Sequence, residues 1–260
     1  MCSLIITQMG DNVYFCEEDK PFMRIPIYQI DAFADRQFEG NPAAVCPLES
    51  WPSDDLLQKI AAENNLAETG FFVRQGDDYA LRWFTPKREV DLCGHATLAS
   101  AFVLFTYLEP GRTQVRFHTL SGPLEVTQES GLLAMIFPSR PGERCDAPAA
   151  LVKGLGKQPL EVYRSRDYMA VFASEQEILD LRPSMPDLAQ LDSLGIIATA
   201  PGAQADFVSR FFEPQAGVDE DPVTGSAHST LIPFWSARLG KRAMVARQLS
   251  ERRGTLYCTD

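Results

Sequence analysis

The sequence is short of basic residues, has few histidines and contains no long unbroken apolar run. Lysine and arginine total 24 against 35 aspartates and glutamates, a net charge of −11. A surface that acidic repels phosphate backbones and anionic lipid, so no nucleic-acid partner and no membrane partner are expected. The longest apolar stretch, Ala96 to Leu108, is interrupted by Thr97, Ser100 and Thr106. It falls short of the ~20 residues that span a bilayer. Met1 to Lys20 offers only the run Leu4-Ile5-Ile6 before Asp11, Glu17, Glu18 and Asp19, without the basic start and apolar core of an export signal. Six cysteines (Cys2, Cys16, Cys46, Cys93, Cys145 and Cys258) form no C-x-x-C, which in a chain this long reads as reduced thiols and a cytoplasmic location. The three histidines, His95, His118 and His228, lack H-x-x-x-H or H-x-H spacing, so no metal site is expected. A P-loop and a G-x-G-x-x-G are absent too, leaving nucleotide binding without local support.

What is there is ordinary globular material: 260 residues, 45% of them hydrophobic, enough for one large domain or two small ones. Residues 1–23 are polar and acidic and read as a poorly ordered N-terminal extension. Ile25 to Phe33 alternates with a strand period. Phe38 to Pro42 reads as a turn, and Ala43 to Cys46 as a short strand. Ser53 is an N-cap for a helix with Asp54 and Asp55 in its first turn and Leu56, Leu57 and Ile60 on one face; Asn64-Asn65 ends it. Leu66 to Gly70 then reads as a connector into the strand Phe71-Phe72-Val73.

The most informative feature is an internal repeat. Asp78-Tyr79-Ala80-Leu81-Arg82-Trp83-Phe84-Thr85-Pro86 returns 128 residues later as Asp206-Phe207-Val208-Ser209-Arg210-Phe211-Phe212-Glu213-Pro214. Each copy runs through acids to a glycine that opens a buried helix, Gly94 followed by His95 and Gly225 followed by Ser226, with a mostly apolar body, Leu98 to Tyr107 or Ser229 to Leu239. A helix apolar nearly all round is buried. The fold expected is therefore α+β, with two pseudo-symmetric halves over residues 24–118 and 119–260, each a sheet wrapped around a central buried helix. The first amides of a helix lack internal partners and carry the positive end of its dipole. Two such starts suit a carboxylate. Close packing of helix on strand explains the glycines equally well.

These residues also carry a family resemblance. Gln29 to Phe33, Gly40-Asn41-Pro42-Ala43-Ala44-Val45, Asn65-Leu66-Ala67-Glu68-Thr69-Gly70-Phe71, Arg82 to Pro86, Glu89 to Thr97 and Glu220 to Ala227 stand in the order of the PhzF-like phenazine-biosynthesis family. Together they resemble that family, within the diaminopimelate epimerase fold, from about Pro26 to about Cys258. The resemblance implies a mostly antiparallel sheet or barrel in each half, an active site in the cleft between halves, isomerase chemistry without metal or organic cofactor, and a homodimer. Position by position, Glu68 matches the proton-shuttling acid/base. Gly94 and His95 match the motif that contacts substrate, His95 assisting proton transfer or holding the substrate. Asp221 matches the acid that binds a polar substrate group, and Gly225-Ser226 the amides that hold a carboxylate. Asn41 stands in the Gly-Asn-Pro turn beside the cleft. The resemblance also implies further strands after Leu256-Tyr257-Cys258; a chain ending at Asp260 is then expected to expose a sheet edge.

A carboxyl that removes a proton from carbon and returns it elsewhere needs its pKa raised toward neutrality by burial. Glu68, after an apolar helix and before Phe71-Phe72, has the setting for that. Cofactor-independent epimerases oppose one thiol per half. Here Cys93 stands in the first half, but Thr224 stands in the second, and a threonine hydroxyl is too weak an acid to substitute. Cys93 reads first as a small buried residue. Ser226, His228 and Asp221 invite a hydrolase triad, but no G-x-S-x-G elbow is present and residues two apart point to different helix faces. The reading is an isomerase using Glu68 as proton shuttle on a small-molecule carboxylate substrate. The alternative is a non-catalytic metabolite-binding or interaction protein of the same fold.

Overall fold

The computed structural model describes residues 13–14 and 23–260. The chain divides into two compact units, the first ending at Ile136 and the second holding Phe137–Asp260 together with Glu39–Asn41. Of the extension expected over residues 1–23, strand β1 (Val13–Tyr14) pairs antiparallel with β2 (Met23–Arg24); the rest lies outside the described residues.

In the first unit the chain continues through β3 (Tyr28–Ala32), β4 (Asn41–Leu48), α1 (Asp54–Asn64), β5 (Glu68–Gln75), β6 (Asp78–Phe84), β7 (Glu89–Val90), α2 (Gly94–Val103), β8 (Gln114–Thr119), β9 (Gly122–Glu129) and β10 (Leu132–Met135). The strand order is β10-β9-β8-β6-β5-β4-β3, with β7 also paired to β6. Helix α1 begins where Ser53 Oγ accepts from the Leu56 amide and stops at Asn65, which takes a left-handed conformation at φ 48°. The alternation in β6 turns Tyr79, Leu81 and Trp83 into a core shared with Ala96, Ala99, Val103 and Leu104 of the central helix. That helix is buried at nearly every position from His95 to Val103, then runs on as a π-helical turn over Leu104–Leu108. It starts at Gly94, the glycine expected to open it. The boundary expected after residue 118 falls later, at Ile136, since β8, β9 and β10 form one antiparallel meander on the first sheet.

The second unit contains β11 (Glu143–Cys145), α3 (Ala149–Leu155), β12 (Glu161–Arg164), β13 (Tyr168–Val171), α4 (Glu175–Asp180), α5 (Met185–Leu188), β14 (Ile196–Pro201), β15 (Phe207–Glu213), β16 (Val218–Asp221), α6 (His228–Leu239), β17 (Ala243–Gln248) and β18 (Gly254–Thr259). Its order is β11-β12-β13-β14-β15-β17-β18, with β16 also on β15. The two copies of the repeat become β6 and β15, and each pairs the same way. Each has an antiparallel neighbour on one side (β5 or β14), a parallel one on the other (β8 or β17), and a short added strand (β7 or β16). In α6, Trp235 stacks on Phe207 with ring centres 5.7 Å apart and donates from Nε1 to Thr199 Oγ1. Strand β18 forms one edge of the sheet, with the Tyr257 side chain exposed. The architecture is thus α+β, mixed sheets each packed on a buried helix. Among the described residues no helix is long and apolar enough to cross a membrane.

Candidate active-site residues in each unit

Glu68 does not lie in a connector. It is the first residue of β5, opposite Ala43 of the parallel strand β4. Two residues on, Gly70 faces the central helix, and a Cβ there would come within 3.0 Å of Ser100 Oγ. The missing side chain lets α2 lie close against β5, which brings the helix start up to Glu68. Cys93 is the N-cap of α2 and His95 its second residue. The Cys93 Sγ is 3.5 Å from His95 Nδ1, and His95 Nε2 is 3.3 Å from Glu68 Oε2. Thiol, imidazole and carboxylate therefore converge, one ligating atom of each within 4.8 Å of the others.

Burial separates their roles. The His95 ring is enclosed, and loss of water drives its pKa down to about 4, so the imidazole is neutral at pH 7. Its Nε2 is near enough to Glu68 for an electrostatic contact but lies outside hydrogen-bond geometry, and it has no hydrogen-bond partner among the described residues. The Glu68 side chain keeps 20% of its surface in water, so of the acid and the imidazole it is the more accessible to a reactant. Cys93 makes no side-chain cap. No side chain of the cap residue therefore competes for the first amides of α2, at Gly94 and His95, which remain suited to an anion. Burial alone was legible for Cys93 in the sequence. Its sulfur's place beside His95 was not.

In the second unit, Asp221 ends β16 and is buried. Oδ1 accepts from Asn41 Nδ2 at 2.7 Å and Oδ2 from Thr224 Oγ1 at 2.5 Å. Asn41, expected in a turn, opens β4 and is fully buried; its Nδ2 also donates to the Val223 carbonyl. Gln248 closes the network, donating to the Asp221 carbonyl and the Thr224 hydroxyl while its Oε1 accepts from the Thr224 amide. Burial pushes the Asp221 pKa up to about 6 even though the bonds from Thr224 and Asn41 pull it down. This acid is held by protein donors at both oxygens.

Gly225 and Ser226 sit in a turn before α6 rather than in its first turn, their carbonyls accepting from the amides of His228 and Ser229. Ser226 Oγ accepts from Arg166 Nη2 at 3.2 Å, and His228 Nδ1 meets the Thr224 carbonyl. Ser226 and His228 thus serve different partners, and no hydrolase triad forms. Arg166, which also bonds the buried Asp167, is a cation beside Ser226 that sequence reasoning missed. Nothing in Arg164-Ser165-Arg166-Asp167 distinguishes it from a solvated loop, and only the fold brings it to residue 226.

The chain resembles known proteins along most of its length. It matches the model of the PhzC-PhzF family, phenazine biosynthesis-like proteins, over residues 30–259. It is 50% identical over 236 residues to an uncharacterized isomerase of Pseudomonas aeruginosa, covering 91% of each chain. Among solved structures it resembles a PhzF-family phenazine biosynthesis protein of Enterococcus faecalis at 46% identity and TM-score 0.89, covering 91% of this chain and 92% of that one. A probable proline racemase of Agrobacterium radiobacter, 12% identical with TM-score 0.56 over 88% of this chain and 83% of that one, shares the fold. A family match over most of the length, with close relatives covered almost end to end, shows that the chain belongs to the PhzC-PhzF family of phenazine biosynthesis-like proteins.

Proposed function

We propose that the protein is an isomerase that moves a proton within a small carboxylate-bearing metabolite, with Glu68 as the acid/base. The observation that carries the reading is the half-buried Glu68 carboxylate, 3.3 Å from a neutral, enclosed imidazole. A carboxylate in that place takes a proton from carbon as the C–H bond breaks and returns it to a different carbon of the same molecule. The neutral His95 ring adds no positive charge of its own beside that carboxylate. Composition of substrate and product is unchanged, so the side chains alone complete the cycle. In this reading the Gly94 amide, at the helix start beside Glu68, holds the substrate carboxylate. Asp221, gripped at both oxygens, positions a polar substrate group rather than carrying the proton. The isomerase named among the relatives supports the reaction class.

The test is deuterium incorporation in D2O, followed by NMR across a panel of small cyclic and acyclic carboxylates, with wild type beside Glu68→Gln. Exchange into a compound that wild type turns over, lost in the variant while binding persists, is expected. Binding in both proteins with exchange in neither overturns the isomerase and leaves a metabolite-binding protein of the same fold.

A further inference from the structure

Histidine spacing in the sequence argues against a metal site, but the fold undoes that argument. Glu68, Cys93 and His95 come from a strand start and a helix start, and one ligating atom of each lies within 4.8 Å of the other two. From this convergence we propose that the three side chains form a binding site for a thiophilic divalent cation of the zinc type.

The geometry suits such an ion. Bonds of about 2.0–2.3 Å from zinc to oxygen, nitrogen and sulfur set tetrahedral ligand atoms roughly 3.3–3.7 Å apart. The contacts already present are 3.3 Å between Glu68 Oε2 and His95 Nε2, and 3.5 Å between Cys93 Sγ and His95 Nδ1. Those two contacts use different ring nitrogens, and a single cation takes one of them. The remaining ligand then closes in by rotation of a side chain from within 4.8 Å. The partly exposed Glu68 is the arm with room to do so. Three protein ligands leave the fourth position to water, the arrangement of an open site. The donor set sets the selectivity: a thiolate and an imidazole favour zinc, cadmium and cobalt, and disfavour magnesium and calcium, which prefer oxygen. Binding releases the thiol proton and engages one Glu68 oxygen in coordination, which competes with the role of that carboxylate as the proposed acid/base. The second unit offers no equivalent, since Thr224 and Ser226 stand where Cys93 and His95 stand in the first.

The site shares its residues with the proposed acid/base, but its test uses the metal alone. Failure of either reading therefore leaves the other standing. Equilibrium dialysis against Zn2+ under reducing conditions, with Co2+ as the optical probe, measures stoichiometry and ligation in the full chain. The expected result is a cation bound with a sulfur-to-cobalt charge-transfer band and tetrahedral d–d bands. Mg2+ is expected neither to bind nor to compete. Cys93→Ser abolishes the charge-transfer band with the other cysteines intact. Glu68→Gln, at a partly exposed position that does not threaten folding, weakens binding by at least ~10-fold. No binding, a band unchanged in Cys93→Ser, or an affinity unchanged in Glu68→Gln overturns the proposal.

Discussion

In the first unit Arg82 grips Glu89 through two bonds of 2.7 Å, and in the second Arg210 grips Glu220 the same way at 2.7 and 2.8 Å. From that shared pair the two copies walk in step to a glycine, yet every polar choice between differs. Val90 becomes Asp221, Cys93 becomes Thr224, and His95 becomes Ser226. The strand pair and the buried helix constrain the scaffold, because each must close the same sheet around the same kind of core. The short stretch between them faces no such demand. The first unit uses it for a thiol and an imidazole. The second uses it for an acid fixed by hydroxyl and amide donors.

The largest expected difference between the units is in proton exchange. Glu68→Gln keeps the shape and removes the base, so deuterium incorporation should fall on the order of 10²–10⁴-fold. Asp221→Asn leaves Glu68 in place and should raise KM more than it lowers kcat. Steady-state kinetics on the same substrate separates the two. A larger fall in kcat for Asp221→Asn than for Glu68→Gln would move the proton carrier to the second unit.

In stability the order reverses, because the buried network lies in the second unit. Asn41→Ala leaves an Asp221 oxygen and the Val223 carbonyl without their donor in the interior. That should cost about 1–3 kcal/mol in urea unfolding. Glu68→Gln, at a partly wet position, should change stability far less. Equal losses would mean that water replaces the Asn41 amide.

Acid should weigh more on the first unit than on the second. Burial lowers His95 and His228 from 6.5 to about 4. Between those values the unfolded chain binds more protons than the folded one, so each histidine removes stability as pH falls through that window. Asp221 is raised from 3.8 to about 6. There the folded chain binds more protons, so its contribution grows as pH falls from about 6 to 3.8. The second unit therefore contains an opposing pair, and the first has His95 alone. Urea midpoints measured from pH 7.5 to 4.5 should fall less steeply in His95→Gln than in wild type, and more steeply in Asp221→Asn. A slope unchanged in both variants would remove these groups from the acid response.

The sequence carried the repeat and the caps of α1 at Ser53 and Asn65, since local chemistry and pattern mark them, whereas Glu68 and His95 stood out only through the family motifs around them. Periodicity could not show that α6 starts at His228, three residues after the glycine expected to open it. Nor could it reveal that Asn41 bonds Asp221 across 180 residues of chain, or that Gln248 and Arg166 complete the second unit's polar group. Those partnerships exist only once the strands pair. The spacing of histidines reads only local repeats, and it does not register that residues 68, 93 and 95 come together from a strand start and a helix start.

The smallest expected effect tests how alike the two scaffolds are. The arginine–glutamate pairs match in geometry, but Arg210 also donates to the carbonyls of Ile178 and Leu181, whereas the third partner of Arg82 is Asp54, whose side chain is 75% exposed. Carbonyls of a packed segment hold the Arg210 guanidinium in place before Glu220 engages it, so less side-chain entropy is lost in forming the pair. A surface carboxylate gives Arg82 no such anchor. Double-mutant cycles with Arg→Met and Glu→Gln should therefore yield a larger coupling for Arg210–Glu220 than for Arg82–Glu89, both within about 0.5–1.5 kcal/mol for partly exposed bidentate pairs. Equal couplings would show that the carbonyl bonds add nothing to preorganisation. A larger value in the first unit would mean that the repeat preserves the appearance of the pair without its energetics.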